Sequence, residues 1–178
     1  MSQPKKSIWV FADYRNYFQN RVTLQLLAKA NDLATGMNAE VCAVVFGHET
    51  DEYVAEYIAH GAQKVLVVKH PSLNRYSVEK FTFLMEKLAG DQGPEIILIG
   101  ATSFGREFAP RVAKRLGTGL TADCIGLEMT SEGHLLQIAP SFGGNLIAEI
   151  ITPDHRPQMA TVRPGTFQEL PHDNTRCG

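Results

Sequence analysis

Along the chain, apolar residues recur with two different periods. Ser7-Ile8-Trp9-Val10-Phe11-Ala12 is a brief apolar run closed by Asp13, and it predicts a strand. From Asn20 to Thr35, Val22, Leu26, Leu27, Ala30, Leu33 and Ala34 return at helical spacing, so a helix follows. The pair then repeats. Ala39 to Phe46 reads as a strand, and Asp51 to His60 as a helix with acids at its start and Gly61 just past its end. Val65 to Val68 is a third strand. Ser77 opens a helix carrying Val78, Phe81, Leu84, Met85 and Leu88, which Gly90 closes ahead of Pro94 and a fourth strand, Glu95 to Gly100. Strands this continuously apolar are covered on both faces, which predicts an α/β fold, a parallel sheet with helices above and below.

A helix from about Phe104 to Leu116 sets Phe104, Phe108, Val112 and Leu116 on one stripe, with Pro110 expected to kink its early turns. Beyond Gly117 the rhythm changes. Cys124 to Met129, His134 to Ala139, Asn145 to Ile151 and Gln158 to Val162 are strand-like and too closely spaced for helices between them. The last third is therefore expected to be an antiparallel β-elaboration on the α/β core. Residues 1–167 make one domain, and the polar, aperiodic residues 168–178 read as a linker or disordered tail.

Composition narrows the class. The 178 residues, 44% hydrophobic and 20% charged, are those of a folded globular domain. With 17 basic against 19 acidic residues the formal charge is −2, so no summed positive field draws the chain to nucleic acid or anionic lipid, and the Lys5-Lys6 pair is too short to change that. Cys42 and Cys124 lie in apolar surroundings, and three cysteines cannot all pair, which favours a reducing, cytoplasmic setting. No apolar window approaches the length of a membrane span, and no signal core precedes the first strand.

The strongest candidate chemistry is Ile99-Gly100-Ala101-Thr102-Ser103-Phe104-Gly105-Arg106-Glu107, where a strand's carboxyl end meets a helix start. Thr102 and Ser103 are candidate caps, Gly105 permits a close approach, and free N–H groups with Arg106 offer an anion site. The bland alternative is a simple cap with a solvated arginine. Ala101-x-Ser103-x-Gly105 also approximates a nucleophile elbow, with Asp123 or Asp154 and His155 or His172 following in order as candidate partners, although no glycine-type oxyanion loop precedes it. The loop Asp13-Tyr14-Arg15-Asn16 is a possible nucleotide contact without the glycine of a phosphate cradle. The six histidines are dispersed and match no zinc spacing. Phe142-Gly143-Gly144-Asn145 reads as a turn with positive φ, or as a place where another chain's backbone comes close. Taken alone, these residues define an α/β domain with an anion-capable switch point.

Several long blocks add a resemblance. Gly105 to Ala113, Leu116 to Cys124, Phe142-Gly143-Gly144-Asn145-Leu146 and Pro157 to Gly165 resemble the amino-terminal domain of the electron-transfer flavoprotein alpha subunit, and the likeness runs from about residue 7 to residue 167. It implies a fold similar to the adenine-nucleotide alpha hydrolases and a heterodimer with the electron-transfer flavoprotein beta subunit. It also implies electron carriage by FAD between acyl-CoA or other flavin dehydrogenases and an acceptor, a carrier's role rather than an enzyme's. In that family the chain continues into a carboxy-terminal domain holding most of the FAD contacts. FAD is therefore expected in the full heterodimer and not on these 178 residues alone. The part seen here would serve as scaffold and beta-subunit interface, with Gly143, Gly144 and Arg163 on the docking surface. A nucleotide-binding module of stress-protein type and a serine hydrolase using Ser103 are the rival readings.

Overall fold

The computed structural model describes residues 6–144 and 146–178, so Lys5 and Asn145 lie outside the described residues. Strands β1 (Ser7–Phe11), β2 (Glu40–Gly47), β3 (Lys64–Lys69) and β4 (Ile96–Gly100) alternate with helices α1 (Tyr17–Met37), α2 (Asp51–Ala59), α3 (Val78–Gln92) and α4 (Ser103–Leu116). Five further strands follow: β5 (Leu120–Cys124), β6 (Gly126–Met129), β7 (Leu135–Ser141), β8 (Leu146–Ile150) and β9 (Gln158–Val162). Six strands form a wholly parallel sheet in the order β3-β2-β1-β4-β9-β5, and β6-β7-β8 form a separate antiparallel sheet.

The expected parallel sheet with a later antiparallel elaboration is thus present, but β5 and β9 belong to the main sheet. β9 enters between β4 and β5, pairing Ile97 with Met159 on one side and Leu120 with Met159 on the other. Its five residues are all buried, as a strand between two neighbours requires.

Alternate residues of each strand feed two separate cores. Ile8, Val10, Val41, Ala43, Ile96, Leu98 and Ala160 face α1, α2 and the small sheet, where Leu27, Tyr57, Leu127 and Leu135 are buried. Trp9, Phe11, Val44, Phe46, Ile97, Ile99 and Met159 face α3 and α4, against Phe81, Met85, Phe104 and Phe108. Each fully buried side chain of this size contributes about 1.5–3 kcal/mol relative to exposure, so both helical layers are held mainly by these faces.

Helix ends follow local chemistry. The Asn16 side chain accepts from the Gln19 N–H and starts α1 three residues before the periodicity predicts, because the exposed Tyr17 and Phe18 interrupt the amphipathic pattern. α3 starts at Ser77, whose hydroxyl accepts from the Lys80 N–H. It runs through Gly90 and stops at Gly93, which takes the left-handed conformation (φ 60°) that an unbranched backbone adopts most easily. Gly90 is therefore a helix-interior residue and not the terminator. α4 continues past Pro110 to Gly117.

Residues 168–178 contain no helix or strand, yet they are tied to the domain. Glu169 pairs with Arg21 at 2.6 Å, the Leu170 carbonyl lies 2.9 Å from His60 Nδ1, and the Asp173 N–H donates to the Ala59 carbonyl. No helix among the described residues is long and apolar enough to cross a membrane.

Candidate functional site

Strand order reverses direction between β1 and β4, and in open parallel sheets the crevice at such a point is where ligands bind. Two residues close it. Asp13, just after β1, is buried, and Thr102, just after β4, donates its hydroxyl to Asp13 Oδ2 at 3.1 Å. The same Thr102 oxygen accepts the Gly105 N–H at 3.1 Å, capping α4. Arg15 holds the Asp13 carboxylate with two N–H donors, each at 2.8 Å, and the Asp13 N–H donates to Thr23 Oγ1. A protein carboxylate, linked through Thr102, thus sits at the positive end of the α4 dipole where an anionic ligand would otherwise go.

The four residues expected to form an anion site share this turn but not that task. Thr102 is the buried cap. Ser103 is exposed in the first helical position and makes no cap hydrogen bond, which corrects its assignment as the capping residue. Gly105 is required by packing: a Cβ there would lie 1.8 Å from the Gly100 carbonyl oxygen, so only glycine lets α4 approach the end of β4. Arg106 is not a free anion ligand, because its guanidinium is paired with Asp123, Nε to Oδ1 at 3.2 Å and Nη2 to Oδ2 at 3.3 Å.

The elbow reading fails on placement. His155 precedes β9, at the amino-terminal edge of the sheet beside the Arg156–Glu95 ion pair, whereas Ser103 stands at the carboxyl edge. His172 packs on His60, beyond the end of α2. Asp123 is committed to Arg106. Among the described residues no group of three or more His, Cys, Asp or Glu is placed to hold a metal ion.

Beside the Asp13–Thr102 bridge lies a cavity of about 390 Å³. Phe11, Phe46, Phe81 and Phe104 form its floor, with Phe11 stacked on Phe104 at 5.5 Å between centroids and Phe46 edge-on to Phe81 at 5.6 Å. The Arg15 guanidinium lies 4.1 Å from the Phe104 ring centre and 5.3 Å from that of Tyr76. Tyr14 and Tyr53 pack at 4.4 Å on the opposite wall, and the Tyr14 hydroxyl donates to the Phe46 carbonyl at 2.9 Å. Burial, then the neighbouring Glu107, pushes the Tyr76 phenol up to about 12. The sequence offers the Asp13-Tyr14-Arg15-Asn16 loop as a nucleotide contact, whereas in the structure Asp13 and Arg15 bind each other. An acid and a base two residues apart at a strand's carboxyl end were the available signal.

A second exposed feature is the β7–β8 hairpin. β7 starts where the Gln158 side chain accepts the Leu135 N–H, at the beginning of β9, and passes Ile138 beside the end of β5, so its tip lies at the carboxyl edge of the main sheet. Gly143 and Gly144 turn this tip with φ of 70° and 93°. Arg163, exposed, directly follows β9 at the same edge. β8 is an edge strand on which Leu146 is 58% and the adjacent Ile147 65% exposed, so neither of its faces is covered.

The sheet order, the two helical layers and the bridged switch point define an α/β domain of the doubly wound class. Residues 8–177 match the family model described as electron transfer flavoprotein domain, and the chain belongs to that family. It is 46% identical over 173 residues to the electron transfer flavoprotein subunit alpha of Thermoanaerobacterium thermosaccharolyticum, covering 97% of this chain and 52% of that protein. Against the subunit alpha of Clostridium acetobutylicum it is 46% identical over 167 residues, 93% of this chain and 50% of the relative. A third relative, lactate dehydrogenase (NAD(+),ferredoxin) subunit LctC of Acetobacterium woodii, is 40% identical over 162 residues, 91% of this chain and 39% of that subunit. The chain spans about half the length of the first two of these curated relatives.

Proposed function

We propose that this chain is the amino-terminal domain of an electron-transfer flavoprotein alpha subunit, working in the cytoplasm as scaffold and beta-subunit interface in a carrier of electrons between dehydrogenases and an acceptor. The observation that carries this reading is the family match over residues 8–177 together with 46% identity to subunits alpha across nearly the whole chain. The role is a carrier subunit's and not that of an enzyme in itself, since the switch-point crevice holds a structural bridge where a reacting group would sit.

The residues present do not fit a flavin diphosphate. The α4 amino terminus faces Asp13, and Arg106 is spent on Asp123, so neither is available to a phosphate. FAD therefore belongs to the rest of the heterodimer. The same two contacts count against a phosphate-binding stress-protein module.

The interface is assigned to the hairpin edge, with Gly143, Gly144 and Arg163 at its rim and Leu146 and Ile147 as its apolar centre. An open edge strand with uncovered side chains is suited to pairing with another chain. The test is to purify the chain with and without a beta subunit, follow association by calorimetry, and record the flavin absorption spectrum. Association without flavin on the isolated chain is expected; stoichiometric, tightly held FAD on residues 1–178 alone would overturn the assignment.

A further inference from the structure

The cavity at the carboxyl ends of β1 and β2 has a chemistry that neither the scaffold nor the hairpin uses. Its charged lining is Asp13, Arg15, Glu49 and Glu52. Asp13 and Arg15 neutralise each other, which leaves the Glu49 and Glu52 carboxylates as the excess charge at the mouth. The electropositive helix end that usually marks this position is satisfied by Asp13 through Thr102. An entering anion meets two carboxylates and no unpaired lysine or arginine, whereas an entering cation meets those carboxylates and a set of aromatic faces.

The protein already holds one planar cation in this way. The Arg15 guanidinium lies over the paired Phe104 and Tyr76 rings while two of its N–H groups bind the Asp13 carboxylate. The opposite wall repeats the pairing of ring and acid, with Tyr53 packed at a tilt on Tyr14 beside Glu52 and Glu49. His48 adds a buried Nδ1 that has no hydrogen-bond partner among the described residues. The phenols respond to this surround. Burial first, then Glu52 and Glu56, raises Tyr53, and burial, Tyr53 and Asp13 raise Tyr14. A volume of about 390 Å³ suits a small molecule.

We infer that this cavity is a binding site for a small planar organic cation, a guanidinium or amidinium, held against the Tyr53 ring by the Glu49 and Glu52 carboxylates. The inference is independent of the electron-transfer reading, because it concerns the ends of β1 and β2, strands of the main sheet with which the hairpin does not pair.

Three probes of one shape and different charge test it by titration calorimetry at low salt: benzamidine, benzamide and benzoate. Saturable, one-to-one binding of benzamidine is expected, with benzamide weaker by about tenfold or more and benzoate not bound. The double variant Glu49→Gln, Glu52→Gln, at two exposed positions, should bring benzamidine down to the affinity of benzamide. Equal affinity for benzamidine and benzamide, binding of benzoate, no saturable binding, or benzamidine binding unchanged in the double variant would each overturn it. The three-probe comparison on the parent chain decides the matter even where the variant fails to fold.

Discussion

The Thr102 hydroxyl donates to the Asp13 carboxylate at 3.1 Å, joining residues 89 positions apart across the gap between β1 and β4. One oxygen therefore does two things, since it also accepts the Gly105 N–H and starts α4. The bridge locks the switch point in place of a ligand.

Removing that oxygen should be felt twice. Thr102→Ala leaves an N–H of α4 uncapped and takes a donor from a buried carboxylate, and a loss of about 1–2 kcal/mol in urea unfolding is expected. Ser103→Ala, one residue on but exposed, should change stability by less than about 0.5 kcal/mol. Equal effects of the two substitutions would count against the assignment of Thr102 as the cap.

The glycines of α3 and α4 should respond with opposite signs. Gly105→Ala places a methyl 1.8 Å from a backbone oxygen, so α4 must move off β4, and a clear drop in thermal midpoint is expected. Gly90→Ala, inside α3 with nothing within 4 Å of the new methyl, should stabilise by about 0.5–1 kcal/mol. Differential scanning calorimetry of both variants gives the comparison.

The hairpin should matter to association and not to folding. Ile147→Lys puts a charge on a residue that is 65% exposed, so unfolding should be unaffected while affinity for a beta subunit falls by at least about tenfold. Arg163→Glu is expected to act in the same direction. Calorimetric titration with a purified beta subunit is the measurement, and unchanged affinity in both variants would remove this edge as the interface.

Alkaline pH should loosen the fold. Burial pushes the Cys124 thiol up to about 12 from an ordinary 9.0, and the Tyr76 phenol to about 12 from 10.0. Both groups are held protonated in the folded chain more strongly than in the unfolded one. The stability this contributes is present in full below pH 9 and is lost as pH rises from there through 12. Urea midpoints measured from pH 8 to pH 11 should fall, and Tyr76→Phe should flatten the upper part of the decline. In the same range iodoacetamide should modify the exposed Cys177 long before Cys124.

The four strand–helix pairs up to Leu116 are legible because each strand is an unbroken apolar run and each helix keeps its period over nine or more residues. β9 defeats the same reading. Gln158 to Val162 follows three short strands, β6, β7 and β8, all paired antiparallel, and nothing within five residues distinguishes a strand that returns to the main sheet. The site was legible in its location and not in its content. The α4 turn stands out in sequence, but Asp13 and Asp123, which occupy its charges, lie 89 and 17 residues from their partners Thr102 and Arg106. Contacts that depend on sheet order are visible only once the order is known.

The insertion of β9 also orders events in time. β5 pairs with β9 and not with β4, so during synthesis it must wait for the chain through Val162 before it has a hydrogen-bonding neighbour in the main sheet. Until then β4 presents an open edge of fully buried-type residues, Ile96 to Gly100. The half of the sheet from β3 to β4 can pair once β4 has been made, whereas closure needs a contact between Leu120 and Met159 with the chain between them looped out. Docking of β9 is thus the last main-sheet pairing open to the growing chain, and a ribosome-stalled chain ending before Gln158 is expected to be the form most exposed to chaperones and to aggregation.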